Sequence, residues 1–238
     1  LCGDVGYGKT EVAIRAAFKA VMSGKQVAML VPTTVLAEQH FLHFRERMSD
    51  FPVAIETLSR YRSTSEQRKT VEKLAAGSVD IVIGTHRLIS KDVVFKNLGL
   101  VVVDEEQRFG VTHKEKFKEL WRFVDVLTLS ATPIPRTLYL SMMGVREMSV
   151  IDTPPASRRP FATTISPYDE RSIRSAIEKE LSRQGQVFFL HNRVKSIRGM
   201  KRRIEDLVPN ARVEVGHGQL GDEELEDVMS RFINGEFD

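Results

Sequence analysis

The sequence predicts an α/β protein in which parallel sheets are wrapped by helices, arranged as two tandem units. Three observations predict it. Short apolar, β-branched runs alternate with longer helical patterns along most of the chain. Leu100-Val101-Val102-Val103 is continuously apolar rather than alternating, the pattern of a strand buried on both faces. The alternation stops at Asp152-Thr153-Pro154-Pro155-Ala156-Ser157-Arg158-Arg159-Pro160, where prolines and small polar residues read as a linker, and then resumes.

Each element follows in order. Leu1-Cys2 reads as the end of a strand, and Glu11 to Met22 as an amphipathic helix after a glycine-rich turn. Gln26 to Val31 is an apolar strand, and Val35 to Met48 a helix behind Pro32-Thr33-Thr34. Val53 to Leu58 is a strand, Thr64 to Ala76 a helix, and Asp80 to Ile83 and Leu100 to Val103 are further strands. A charged helix is expected near His113 to Leu120, then a strand at Asp125 to Leu129. Trp121, a lone aromatic, reads as packing. These elements make a first unit over residues 1–152, with the linker at 153–160. In the second unit, 161–238, strands are expected at Phe161 to Ile165, Gln186 to Leu190 and Arg212 to Val215. Helices are expected at Asp169 to Arg183, Val194 to Leu207 and Asp222 to Phe232.

Composition sets the class. The chain has 238 residues, 28% charged and 42% hydrophobic, which suits globular units with proper cores. A net charge of +3 permits a polyanionic partner without requiring one. Cys2 is the sole cysteine, so no intrachain disulfide can form and a reducing, cytoplasmic setting is expected. No apolar run approaches the roughly 18 residues a membrane span needs, and no signal peptide is visible. The opening on a strand's last residues suggests a piece cut from a longer protein.

Chemistry enters with Gly3-Asp4-Val5-Gly6-Tyr7-Gly8-Lys9-Thr10, which matches G-x-x-x-x-G-K-[ST] directly before a helix. Gly3, Gly6 and Gly8 permit torsions that turn successive N–H groups inward around phosphate oxygens. Lys9 can reach the β- and γ-phosphates of ATP, and the Thr10 hydroxyl can ligate Mg²⁺. The other half of such a site is Asp104-Glu105, at the C-terminal end of the strand Leu100 to Val103. Asp104 is suited to hold Mg²⁺, and Glu105 to polarise the water that attacks the γ-phosphate. Together these motifs describe an NTPase.

Other loops carry phosphate chemistry at strand ends. Thr33 and Thr34 read as helix caps whose hydroxyls also suit a nucleic-acid phosphate. Ile83-Gly84-Thr85-His86-Arg87 repeats the arrangement, with Thr85 and Arg87 as candidates. Ser130-Ala131-Thr132-Pro133-Ile134-Pro135-Arg136 ends a third strand, where Ser130 and Thr132 could pass the state of the γ-phosphate to the second unit. His191-Asn192-Arg193 and Gly216-His217-Gly218-Gln219 end expected strands of the second unit, and Arg193 is balanced between a phosphate contact and a surface ion pair. Arg60-Tyr61-Arg62 through Lys69 reads as a solvated basic helix start.

Taken in order, GDVGYGKT, PTTVLAEQH, GTHRL, DEEQRFGV, SATPIPRTL and HGQL resemble the motifs of superfamily 2 helicases. More narrowly they resemble the translocase module of bacterial transcription-repair coupling factors, with RecG-type branch-migration helicases as close relatives. Tyr7 and Glu106-Gln107-Arg108-Phe109-Gly110 carry the narrower likeness. The resemblance implies two RecA-like P-loop NTPase domains, the second truncated. It also implies ATP hydrolysis by Lys9, Thr10, Asp104 and Glu105, with Gln107 in the catalytic set. Thr85 and its neighbours would touch duplex backbone, and Ser130 to Thr132 would couple the two activities. Double-stranded DNA is the implied partner, with RNA polymerase and repair proteins bound through other domains. The family's adenine-contacting segment would precede the phosphate loop, and its cleft-crossing arginines would follow Asp238, so residues 1–238 alone are expected to be nearly inactive. Two other classes are a nucleotide-gated DNA-binding module without turnover, opposed by Glu105, and a small-molecule kinase, opposed by the helicase-type loops.

Overall fold

A computed structural model describes residues 1–60, 62–106, 109, 124–131, 147–156 and 162–238. The helix expected near 113–120, Trp121, Tyr61, Gln107, Thr132 and the rest of 132–136, and the linker residues 157–160 lie outside the described residues. The chain divides into two compact units, Leu1–Arg159 and Pro160–Asp238.

In the first unit a parallel sheet forms from β2 (Gln26–Leu30), β3 (Ile55–Leu58), β4 (Ile81–Gly84), β5 (Leu98–Asp104) and β6 (Asp125–Leu129), in the order β3-β4-β2-β5-β6. A separate parallel pair joins β1 (Cys2–Gly3) to β7 (Val150–Ile151). An isolated bridge between Cys2 and Ser130 sets β1 beside the end of β6. Helices α1 (Lys9–Met22), α2 (Thr34–Arg47) and α3 (Thr64–Ala76) provide the cover.

Period-two alternation builds a core on each face of the sheet. On one side Val27, Met29, Ile81, Ile83, Val102 and Leu129 pack with Ala13, Ile14 and Ala17 of α1 and Ala37, Phe41 and Phe44 of α2. On the other, Ala28, Leu30, Val82, Val101 and Val103 pack with Leu74 of α3 and with Leu88 and Ile89. β2 and β4 are buried throughout, which is why they read as continuous apolar runs. The polar start of β2 is satisfied: Gln26 donates to the carbonyls of Leu74 (3.0 Å) and Val79 (2.9 Å) and accepts from the Asn97 N–H (2.9 Å).

The α3 boundaries match the expected ones, because both ends carry local signals. Ser63 and Glu66 form a reciprocal capping box, and Gly77 closes the helix at φ 79°. β5 runs longer than expected at both ends.

The second unit contains α4 (Glu170–Ser182), α5 (Val194–Leu207) and α6 (Asp222–Ile233), close to the expected helices. Ile177, Ile204 and Val208 form its small core. The expected strands differ. Gln186–Leu190 and Arg212–Val215, and the described part of 161–165, are not in a strand ladder. A strand requires a hydrogen-bonded neighbour, and Gln186–Leu190 and Arg212–Val215 each bond to Asp238. The Val187 N–H donates to the Asp238 carbonyl (2.7 Å), and the Asp238 N–H donates to the Arg212 carbonyl (2.9 Å). Phe188 and Leu190 remain 77% and 95% exposed, far from the buried state a central strand would give them.

Candidate functional site

Because every neighbouring pair in the sheet is parallel, the loops after β2, β4, β5 and β6 emerge on one edge. The glycine-rich turn after β1 joins them, since Gly3 N–H donates to the Ser130 carbonyl (3.2 Å) and Ser130 N–H to the Leu1 carbonyl (3.1 Å). Ser130 is thus bonded to the strand that enters the phosphate loop. The edge gathers Gly3–Thr10, Thr33, Thr85, Asp104-Glu105 and Ser130.

Two of the three loop glycines have the torsions they were read for, whereas Gly3 lies in β1 without a positive φ. Gly6 and Gly8 sit at φ 78° and 85°, in the left-handed region that other residues avoid. Gly8 is the N-cap of α1, and no side chain caps that helix, so its first-turn N–H groups and dipole face the loop. The Lys9 ammonium donates to the carbonyls of Gly3 (2.8 Å) and Asp4 (3.1 Å), which holds the cation over the loop. Thr10 follows, half-buried in the first turn.

Across from it, β5 delivers Asp104 and Glu105. Glu105 adopts φ 51°, a left-handed conformation costing on the order of 1–3 kcal/mol for such a residue. Its N–H donates to the Leu129 carbonyl (3.1 Å), extending the β5–β6 ladder by one bond and holding the strained residue in place. Asp104 is mostly buried, and its Oδ2 lies 3.1 Å from Nε2 of His40 on α2. His40 was missed in the sequence. It stands in the PTTVLAEQH run, on the α2 face that also buries Ala37, Phe41 and Phe44. A polar residue on that apolar face was the available signal.

These residues fit a Mg²⁺–nucleotide complex. The uncapped helix start, left-handed glycines and Lys9 suit a polyphosphate. Thr10 and the remaining Asp104 oxygen are hard oxygen donors of the kind Mg²⁺ takes, one or two per site, with phosphate and water completing the shell. Among the described residues no group of three or more His, Cys, Asp and Glu gathers as a self-sufficient metal cage.

The candidate nucleic-acid contacts divide. Thr33 is exposed and caps α2, its Oγ1 accepting from the Leu36 N–H (3.2 Å). Thr85 is 3% exposed, and its hydroxyl is buried with no hydrogen-bond partner among the described residues. Arg87 is committed elsewhere: its guanidinium grips Asp92 through two bonds (2.7 and 2.5 Å) and Gln67 through a third (3.2 Å). The Asp92 carboxylate raises the Arg87 pKa, and the guanidinium lowers that of Asp92. In this conformation the Thr85 hydroxyl is covered and the Arg87 guanidinium is occupied, so neither is open to a phosphate. Arg193, at the N-cap of α5, is exposed.

A profile for the DEAD/DEAH box helicase family matches residues 1–140. Across all 238 residues the chain is 60% identical to the transcription-repair-coupling factors of Staphylococcus haemolyticus and Bacillus subtilis, covering 20% of each. It therefore spans about a fifth of the length of these curated relatives. A RecG structure bound to a three-way DNA junction is 38% identical, with a TM-score of 0.78 over 100% of this chain and 32% of that one. The DUF1998 helicase MrfA, bound to DNA, has a TM-score of 0.69 at 16% identity over 99% of this chain and 38% of its own, a likeness of fold alone. The narrower resemblance read from the motifs is thus matched by relatives of that name. The phosphate loop, the Asp104-Glu105 strand end and a profile covering more than half the chain agree: this chain belongs to the DEAD/DEAH box helicase family.

Proposed function

We propose that this chain is the ATP-driven double-stranded-DNA translocase module of a longer protein that displaces stalled RNA polymerase and couples transcription to DNA repair in the bacterial cytoplasm. The observation that carries the reading is the convergence of nucleotide and phosphate-binding loops on one edge of a parallel sheet. Its support in sequence is the 60% identity to coupling factors along the whole chain.

In this reading Gly3, Gly6, Gly8, Lys9 and Thr10 bind ATP, and Thr10 with Asp104 holds Mg²⁺. Glu105 orients and deprotonates the attacking water, and Gln107 belongs to the same catalytic set. Mg²⁺, when bound, neutralises charge developing on the phosphates. Thr33 and Arg193 contact DNA backbone, the Thr85–Arg87 turn does so once Thr85 is uncovered and Arg87 releases Asp92 and Gln67, and Ser130 with Thr132 relays the nucleotide state. A second reading, remodelling of branched DNA, is favoured by the 38% identity to RecG.

Two assays on the full-length protein separate them. Phosphate release stimulated by linear duplex, with release of a stalled polymerase from its template, is expected. Phosphate release stimulated by three-way junctions alone, with no polymerase release, would replace the first reading by the second. Absence of DNA-stimulated phosphate release would remove both.

A further inference from the structure

His40 is the feature of the site that ATP chemistry by itself does not require. Its side chain is 8% exposed, on the α2 face that also buries Ala37, Phe41 and Phe44. One ring nitrogen, Nδ1, is buried with no hydrogen-bond partner among the described residues. Burial of an unpaired polar atom is unfavourable, so an imidazole here must gain something from its other nitrogen. That nitrogen, Nε2, meets Asp104 Oδ2 at 3.1 Å. An ionised carboxylate only accepts, so Nε2 carries the hydrogen and donates it.

The bond removes one of Asp104's oxygens from competition and fixes the plane of the carboxylate, leaving Oδ1 for a cation. Partners of this kind orient metal-binding carboxylates, and their loss typically weakens metal binding by about 10- to 100-fold. The same bond has a second attachment. Thr33, the exposed cap of α2, lies seven residues before His40 along the chain. That is about two helical turns, or roughly 10 Å along a rigid rod. A shift of α2 driven from its capped end would displace the imidazole by the same amount, and a bond of 3.1 Å is lost once it stretches to about 3.6 Å.

We propose that His40 is a positioning residue that sets Asp104 for Mg²⁺ and links the metal site to the DNA-facing end of α2. The proposal rests on the nucleotide-site reading above. Its test uses the full-length protein carrying His40→Leu, His40→Gln and His40→Asn, with Asp104→Asn as reference. The Gln amide N–H can occupy the place of Nε2–H, whereas the Asn amide is too short to reach it.

Mn²⁺ affinity in the presence of ADP is read by electron paramagnetic resonance, and the ratio of DNA-stimulated to basal phosphate release by a phosphate sensor. His40→Leu should lose about tenfold in Mn²⁺ affinity and most of the stimulation ratio, with His40→Gln recovering both. His40→Leu within twofold of wild type, or His40→Gln as impaired as His40→Leu, overturns the proposal. If His40→Leu does not fold, Gln against Asn decides in the same way: equal Mn²⁺ affinities overturn it. Asp104→Asn that binds Mn²⁺ normally would instead sink the metal-site reading itself, and with it this inference.

Discussion

Lys9 meets two carbonyls of its own loop with a single ammonium, so an arriving phosphate exchanges neutral acceptors for charged ones. In the full-length protein Lys9→Ala should therefore lose nucleotide affinity and turnover together. Glu105→Gln should keep nucleotide affinity and lose turnover, because the amide cannot take the water's proton. Nucleotide titration and single-turnover phosphate release would measure both. A Glu105→Gln enzyme within about threefold of wild type would mean a loss under roughly 1 kcal/mol, and the general-base assignment would fail. Arg87 and Asp92 make a second prediction. Asp92 has its pKa lowered from 3.8 by Arg87, so the pair stabilises the fold above that value and the contribution fades as pH falls through the depressed one. Asp92 is largely exposed, so the effect is below about 1 kcal/mol. Asp92→Asn should narrow the stability difference between pH 6 and pH 3, as read by urea unfolding.

Helix α3 was legible to the residue because its stop signals are local: Ser63, Glu66 and Gly77 each act within one turn of an end. Ser63→Ala should cost about 1 kcal/mol of stability, measurable as a lower urea midpoint at unchanged slope. The strands of the first unit were legible for a different reason, since β-branched residues buried on both faces leave little else to form. Gly84 shows what that packing demands. A methyl group there would lie 2.3 Å from the Leu58 carbonyl oxygen of the neighbouring strand. Gly84→Ala should destabilise the first unit by about 1–3 kcal/mol or separate β3 from β4. The second unit's strands were not legible in the same sense. Gln186–Leu190 has the composition of a strand, but its ladder depends on a partner distant in sequence, and in this structure the partner is the single residue Asp238. His40 escaped for the same reason: nothing local says that a helix residue will meet the end of β5. The phosphate loop and Asp104-Glu105, by contrast, declare themselves through spacing, while the burial of Thr85 and the capture of Arg87 by Asp92 are tertiary facts.

For the molecule as a whole, DNA binding through backbone contacts should be insensitive to base sequence. Arg193→Ala in the full-length protein should weaken duplex binding about equally across sequences and reduce the log–log salt slope by about one unit. Fluorescence anisotropy on unrelated duplexes over a range of salt would measure it, and a loss confined to some sequences would contradict backbone tracking. The pairing of β1 with β7 has a mechanical consequence. Cys2 and Gly3 lie in register with Val150 and Ile151, so the last strand before the chain leaves the first unit is bonded to the strand that enters the phosphate loop. Tension on the chain beyond Ile151 loads this short parallel pair lengthwise, as shear, and Gly3 carries the strain into the turn that ends at Lys9. A pull on that end should therefore reach the phosphate loop through Gly3, and nucleotide affinity measured under load should change.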